Sequence, residues 1–333
     1  MKAIVIKGQY GLEHIALEEK SIPEIGPKEV LVKATAMALN QLDLMITKGD
    51  FGTALPHVLG SDAVGVVEKI GAAVSLFNVG DVVIPQFIQS WQSGKLTKEQ
   101  QTTRLGTDRP GVFSEYWALP EEGLVKIPKN LTPAEAATLP IAGLSAWEAL
   151  YTKGNIQAGQ TILLQGTGGV SIFALQFAKL AGARVIITSG SDEKLSKAKL
   201  LGADATINST THPNWQQQVL ELTGGKGVDL AVELSWTGID KTITAMAMGG
   251  KIIVVGLLGG ADTSVNVYGI MLKCLSIIGL QVGSKASFEA MNRAIENNNL
   301  KPVIDRAFPF SAFKEAFQYV ASGQHFGKVV IQL

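Results

Sequence analysis

Over the first 127 residues, apolar positions come in short β-branched runs, at 3–6, 30–34, 63–67 and 82–84. Gly26-Pro27, Gly60-Ser61, Gly80-Asp81 and Pro110-Gly111 interrupt the chain before any run lengthens into a helix. Short strands broken at this spacing predict a β-rich, barrel-like unit. Residues 86–110 are polar and aperiodic, and are expected to form a surface loop.

Past residue 128 the period changes. Thr132-Pro133-Ala134-Glu135 has the residues of a capping box and starts a helix predicted at 134–139. Apolar runs at 161–164, 184–188, 205–207, 228–232, 251–255 and 276–280 then alternate with helical stretches at 170–181, 193–201, 213–222 and 238–245. Strands that are apolar on both faces, separated by helices, predict an α/β fold: a doubly wound parallel sheet. Helices at 288–297 and 311–322 precede a last strand at 328–331. That strand needs a partner, and the N-terminal β unit can supply one. The expected organisation is a Rossmann domain, 128–283, inserted into a discontinuous domain made of 1–127 and 284–333.

Composition narrows the function. Of 333 residues, 29 are Lys or Arg and 29 are Asp or Glu, so no basic field recruits nucleic acid or an anionic membrane. A small-molecule substrate is expected instead. The single cysteine, Cys274, excludes a disulfide framework and a four-thiolate zinc site. The opening MKAIVIKGQY reads as a strand rather than a leader, and no apolar run approaches the ~20 residues of a membrane span. A cytoplasmic location is expected.

The chemistry begins at Gly166-Thr-Gly-Gly-Val-Ser171, between an apolar strand and an amphipathic helix. In that context a glycine-rich turn is a dinucleotide fingerprint: Gly166, Thr167, Gly168, Gly169 and Val170 would present backbone N–H groups to a pyrophosphate. Ser171 stands where a third glycine is usual, and its hydroxyl can cap. The next strand ends Ile186-Ile-Thr-Ser-Gly-Ser191, without the acid that grips the 2′-hydroxyl of NAD. Hydroxyls of Ser189 and Ser191, with Lys194 in the following first turn, favour a 2′-phosphate, and hence NADPH.

The order of these parts, with LNQLDLMITKGD, LPHVLGSDAVGVVEKIG, FNVGDVV, LPIAGLSAWEAL and HFGKVVI, resembles the medium-chain dehydrogenase/reductase superfamily over the whole chain. The resemblance is to its quinone oxidoreductase and zinc-type alcohol dehydrogenase-like branch. It implies that the β-rich unit is a GroES-like catalytic domain. Zinc-dependent members hold their metal with Cys, His and a second Cys. The matching positions here are Asn40, Ser61 and Ile141, with Asp62 beside them, so no zinc is expected. Nor do His14, His57, His212 and His325 form a ligand pair; His57 is either part of the active-site floor or a structural turn residue.

The resemblance then implies hydride transfer from NADPH to a quinone or α,β-unsaturated carbonyl without a metal. Asn40 is the candidate hydrogen-bond donor, Asp43 a brace for its loop, and water or the Thr47 hydroxyl the stand-in proton donor where relatives carry Tyr at the position of Met45. Met45, Phe51 and Trp91 form either an apolar substrate wall or core. By the same resemblance Ser145 and Lys328 reach the cofactor phosphates, Asn208 lies on the adenosine side, and Gly256-Leu257-Leu258 passes beside the nicotinamide. For Lys328 a plain strand-edge lysine is the alternative. Residues 265–274 precede the last Rossmann strand, where the superfamily pairs with a twofold mate. A homodimer is expected, a tetramer being the larger alternative, with Cys274 buried. Two other readings stay open: an alcohol or aldehyde dehydrogenase, and a non-enzymatic NADPH sensor.

Overall fold

The short runs of the first third become strands β1 (Lys2–Ile6), β2 (Ile15–Glu19), β3 (Glu29–Leu39), β4 (His57–Val58), β5 (Ala63–Ile70), β6 (Val82–Pro85), β7 (Tyr116–Pro120) and β8 (Leu124–Lys126). The apolar alternation further on becomes β9 (Thr161–Gln165), β10 (Arg184–Ser189), β11 (Ala205–Asn208), β12 (Val228–Glu233), β13 (Met246–Val254) and β14 (Ser276–Gly279). Strands β15 (Ile304–Pro309) and β16 (Lys328–Gln332) close the chain. These elements belong to a computed structural model that describes residues 1–333. They divide into two units: Met1–Leu144 with Gly283–Leu333, and Ser145–Val282.

In the discontinuous unit, β16 pairs antiparallel with β3 and is flanked on its other side by β15, in the order β15-β16-β3-β5-β6-β8, with β7 also pairing β3. The C-terminal strand therefore finds its partner in the N-terminal β unit, as its apolar pattern requires. Its register sets Val329 opposite Leu39, which brings Lys328 to the end of β3. The core beneath includes Val30, Val32, Met37, Phe113 and Phe317, the two rings meeting edge-on at 6.4 Å. Burial of such side chains is the main favourable term, at about 1.5–3 kcal/mol each.

The inserted unit is a six-stranded parallel sheet in the order β11-β10-β9-β12-β13-β14. Strand order reverses between β9 and β12, and open α/β sheets take ligands at such a switch point, beyond the carboxyl ends of the strands. No helix is long and apolar enough to cross a membrane.

Two expectations change. The boundary falls at 144 rather than 127, because the helix Pro133–Ala136 packs on β3, β5 and β16. The stretch 86–110 is no surface loop: Gln86, Phe87, Ile88, Trp91 and Leu105 are buried, and Leu105 N–H closes it onto Phe87 O at 3.0 Å. Its polar composition hides a few apolar anchors.

Candidate active site

In the inserted unit, β9 ends at Gln165 and the helix Gly169–Leu180 follows at once. Gly166 between them has φ +74°, in the left-handed region that favours glycine. Thr167 is buried, and Gly168 in extended conformation is the N-cap, with no side chain to satisfy the free N–H groups of the first turn. Gly169 and Val170 are that turn. The helix end is thus open for an anion, as the fingerprint implies. Ser171 is fully buried and its Oγ donates to Gln165 O at 2.8 Å, tying the helix back to the strand.

At the end of β10, Ser189 Oγ accepts from Ser191 N–H (3.4 Å), and Ser191 Oγ accepts from Lys194 N–H as the next helix's N-cap (3.4 Å). No carboxylate ends the strand. Asp192, the nearest, accepts from Asn208 Nδ2 at 2.7 Å. Asn208 Oδ1 in turn accepts from Thr210 and Thr211 N–H, so Asn208 shapes a turn and both polar atoms expected on the adenosine side are engaged within the protein. Ser145, the first residue of this unit, is buried. After β13, Gly256 leads to Leu257 and Leu258, which are exposed.

In the other unit, β3 delivers Asn40 as the N-cap of the helix Gln41–Lys48. Asp43 Oδ2 accepts from Asn40 N–H at 2.7 Å, the brace expected of it. Lys328 is buried on an interior strand, which excludes the strand-edge alternative. Its Nζ donates to Leu39 O at 2.7 Å and Asn40 Oδ1 at 2.5 Å, and lies 3.8 Å from Asp62 Oδ2. The ammonium expected at the cofactor phosphates is thus committed to this cluster, since the pairing of β16 on β3 aims it there. Ser61 Oγ donates to Asp62 Oδ1 at 3.0 Å, and Ile141 N–H lies 3.4 Å from Asp62 Oδ2. Asn40 Nδ2 leans toward Asp62 without completing a hydrogen bond.

Three ionisable groups therefore share one dry cluster. Burial raises the Asp43 carboxyl to about 7, opposed by the Asn40 N–H, raised further by Asp62, and opposed again by Lys328. Burial also raises Asp62, with the Lys328 ammonium the largest opposing influence. Lys328 is pulled down by burial and held up by Asp62 and Asp43.

Other residues are not where the sequence led. Thr47 is fully buried and its hydroxyl donates to Leu44 O at 2.7 Å, so its proton is engaged within its own helix. The helical turn offers it that carbonyl. Trp91 is buried with its indole N–H on Gly94 O at 3.1 Å, while Phe51 is exposed. His57 is buried in β4 opposite Ile6, and burial lowers its pKa. Cys274 is exposed, not buried, at φ +51° just beyond the helix Val267–Leu272.

The profile of the alcohol dehydrogenase GroES-like domain matches residues 26–129, and that of the zinc-binding dehydrogenases matches 169–297. A zinc-type alcohol dehydrogenase-like protein of Schizosaccharomyces pombe is 40% identical over 97% of this chain and 96% of its own length. This chain belongs to the medium-chain dehydrogenase/reductase superfamily. An NADPH-dependent alkenal/one oxidoreductase of Arabidopsis thaliana chloroplasts is 31% identical over 99% of this chain and 79% of its own length. Among solved structures, a candidate alcohol dehydrogenase of Sinorhizobium meliloti 1021 superposes with TM-score 0.94 at 40% identity, covering 100% of this chain and 98% of that one. An NAD-dependent alcohol dehydrogenase gives 0.91 at 38%, with 100% of both chains covered. The protein is an oxidoreductase of this superfamily.

Its residues fit the superfamily's zinc poorly. The ligand positions offer an amide, a hydroxyl and a hydrocarbon side chain beside one carboxylate, whereas zinc is held by thiolate, imidazole and carboxylate. An ammonium already touches the amide oxygen, and a divalent cation there would meet like charge. No group of three His, Cys, Asp or Glu side chains is placed to hold a metal ion.

Proposed function

We propose that this protein is an NADPH-dependent, zinc-independent reductase of quinones or α,β-unsaturated carbonyls. The observation that carries the reading is the Lys328 ammonium on Asn40 Oδ1, at the position where zinc-dependent relatives put a thiolate. Oxidising an alcohol requires something to take the hydroxyl proton as hydride leaves, and zinc does so by acidifying its ligand. Asn40, Ser61 and Lys328 are poor bases for that step. Reducing a conjugated carbonyl asks for less: the charge spreads over an enolate, and hydrogen-bond donors suffice to steady it. With Asn40 Oδ1 fixed by Lys328, its Nδ2 is left as the donor.

The cofactor, when bound, supplies the hydride. The chain's part is to hold it: the open N-terminus at Gly168 takes the pyrophosphate, and Ser189, Ser191 and Lys194 take the 2′-phosphate. The absence of a carboxylate at the end of β10 supports NADPH, as does the 31% identical alkenal/one oxidoreductase. A second reading, alcohol oxidation, is favoured by the solved structures described as alcohol dehydrogenases at 38–40% identity. The committed Thr47 hydroxyl favours a third, an NADPH sensor without turnover.

A homodimer forms part of the proposal. Strand β14 is an open sheet edge, and Val267, Tyr268, Met271 and Leu272 of the preceding helix are exposed.

The test is steady-state oxidation of NADPH with a panel of quinones and enones, before and after chelation and with added zinc. Turnover indifferent to both treatments is expected. Activity that vanishes with chelator and returns with zinc would give the alcohol reading the advantage. Tight NADPH binding with no acceptor turned over would leave the sensor.

A further inference from the structure

The end of β12 carries a buried carboxylate with four partners. Glu233 Oε2 accepts from Gln165 Nε2 at 2.8 Å and from Thr242 Oγ1 at 2.9 Å. Its Oε1 accepts from the N–H groups of Ser235 at 3.1 Å and Trp236 at 3.0 Å. A buried carboxylate with both oxygens doubly satisfied is a rigid junction rather than a reactive group. What it joins gives it a function.

Gln165 is the residue before Gly166, so one arm reaches the root of the glycine turn. Its carbonyl also receives Ser171 Oγ. The other arm shapes the loop after β12, where Trp236 is held at φ +63°, a conformation uncommon for a bulky side chain. That loop is fastened in turn to the loop after β13. Leu258 N–H donates to Leu234 O at 3.0 Å, and Gly259 N–H to Ser235 O at 2.9 Å. Two glycines allow the approach. A Cβ on Gly256 would stand 2.5 Å from Leu234 O, and one on Gly259 would stand 2.2 Å from Thr237 Oγ1. A continuous chain of hydrogen bonds thus runs from the Gly166 turn through Glu233 to the loop that exposes Leu257 and Leu258. It crosses the sheet between β9 and β12, where strand order reverses.

We propose that Glu233 is a positioning residue for the dinucleotide, setting the spacing between the turn that takes its pyrophosphate and the loop that takes its nicotinamide. This rests on the nicotinamide-dinucleotide reading above. Four donors converge on the two oxygens: in Glu233→Gln the NH2 group either opposes the Ser235 and Trp236 N–H groups or obliges the Gln165 amide to flip and the Thr242 hydroxyl to turn to accept it, so the junction is re-set on one arm or the other. The phosphate end then keeps its own backbone donors while the nicotinamide end drifts.

The experiment compares NADPH with 2′-phospho-ADP-ribose, which lacks the nicotinamide, in fluorescence titrations of the full chain. Glu233→Gln is expected to weaken NADPH about tenfold and lower kcat by a similar factor, while the fragment's Kd and the acceptor's KM shift by less than about threefold. Gln165→Met removes the arm to β9, together with the bond from Gln165 Nε2 to Thr242 Oγ1 at 2.9 Å, and leaves Ser235, Trp236 and Thr242 on the carboxylate, so it carries the test if the first variant does not fold. Its effects are expected in the same direction. Equal weakening of NADPH and fragment would show general loosening and overturn the assignment, as would unchanged NADPH binding. If the unaltered chain binds no nicotinamide dinucleotide at all, the cofactor reading fails instead.

Discussion

Lys328 Nζ donates to Asn40 Oδ1 at 2.5 Å, 288 positions away in sequence. The contact joins the last strand to the residue that starts the helix after β3, and it gives a buried ammonium its acceptors. Removing one partner of a buried charge pair leaves the other uncompensated, at about 3–5 kcal/mol. Lys328→Met should therefore destabilise the protein by roughly that much, read as a lower urea midpoint. Adding Asp62→Asn should recover part of the loss, because the stranded carboxylate goes with it. If the single substitution leaves the midpoint unmoved, the ammonium is not held as described.

The same cluster makes stability depend on pH. Asp43 has an ordinary pKa of 3.8, and in the folded chain burial takes it to about 7. Between those values the native state holds the proton that the unfolded chain has released. Stability is then greatest at the acid end of that window, falls as pH rises through it, and is flat above. Asp43→Asn keeps an acceptor for Asn40 N–H and removes the titration. Between pH 5 and 8 its melting temperature should fall less than the unaltered protein's. Asp62, also raised, leaves a remnant slope of the same sign in the presence of Lys328. Parallel pH profiles for the two proteins would refute the assignment.

The Rossmann unit was legible because parallel strands buried on both faces read as unbroken apolar runs, as β9 does in Ile162-Leu163-Leu164. The GTGGVS turn carried its own context. The half-buried β2 and the helix Gln41–Lys48 gave no comparable signal, and the apolar anchors at 86–91 were too few to show. At the site, the bond from Asn40 N–H to Asp43 joins residues three positions apart, a local relationship that the spacing could suggest. The surroundings of Lys328 and Thr47 were not legible, for opposite reasons. Lys328 depends on the register of two strands far apart in sequence, whereas Thr47 turns back onto its own helix. Glu233 went unnoticed, though an acid closing the apolar run Leu230-Ala-Val232 is an available signal for a buried, multiply bonded carboxylate.

Cofactor choice should respond to a single side chain at the end of β10. Ser189→Asp would place a carboxylate where the proposal puts the 2′-phosphate, and like charges repel while the ribose hydroxyls of NADH gain an acceptor. The ratio of kcat/KM for NADPH over NADH should fall by about 100-fold, equivalent to ~2.7 kcal/mol. Lys194→Ala should weaken NADPH and leave NADH nearly unchanged. Equal affinity of the unaltered protein for both cofactors would remove the basis of the 2′-phosphate argument.

Association should be sensitive at the opposite edge of the same sheet. Strand β14 pairs with β13 on one side only, and Ile277 on it is exposed, as are Met271 and Leu272 just before it. An apolar strand edge is costly to leave in water and pairs readily with an identical edge related by a twofold axis. Lysine on an edge strand opposes such pairing, and two copies facing each other across the axis double the repulsion. Ile277→Lys is therefore expected to shift the protein from a dimer toward the 35.3 kDa chain in sedimentation velocity, with the melting temperature of the Rossmann unit little changed. A surface lysine at a position that already meets water has little to disrupt within the chain itself. An unaltered protein that sediments as a monomer would end the dimer proposal. A variant that stays dimeric would move the interface away from β14.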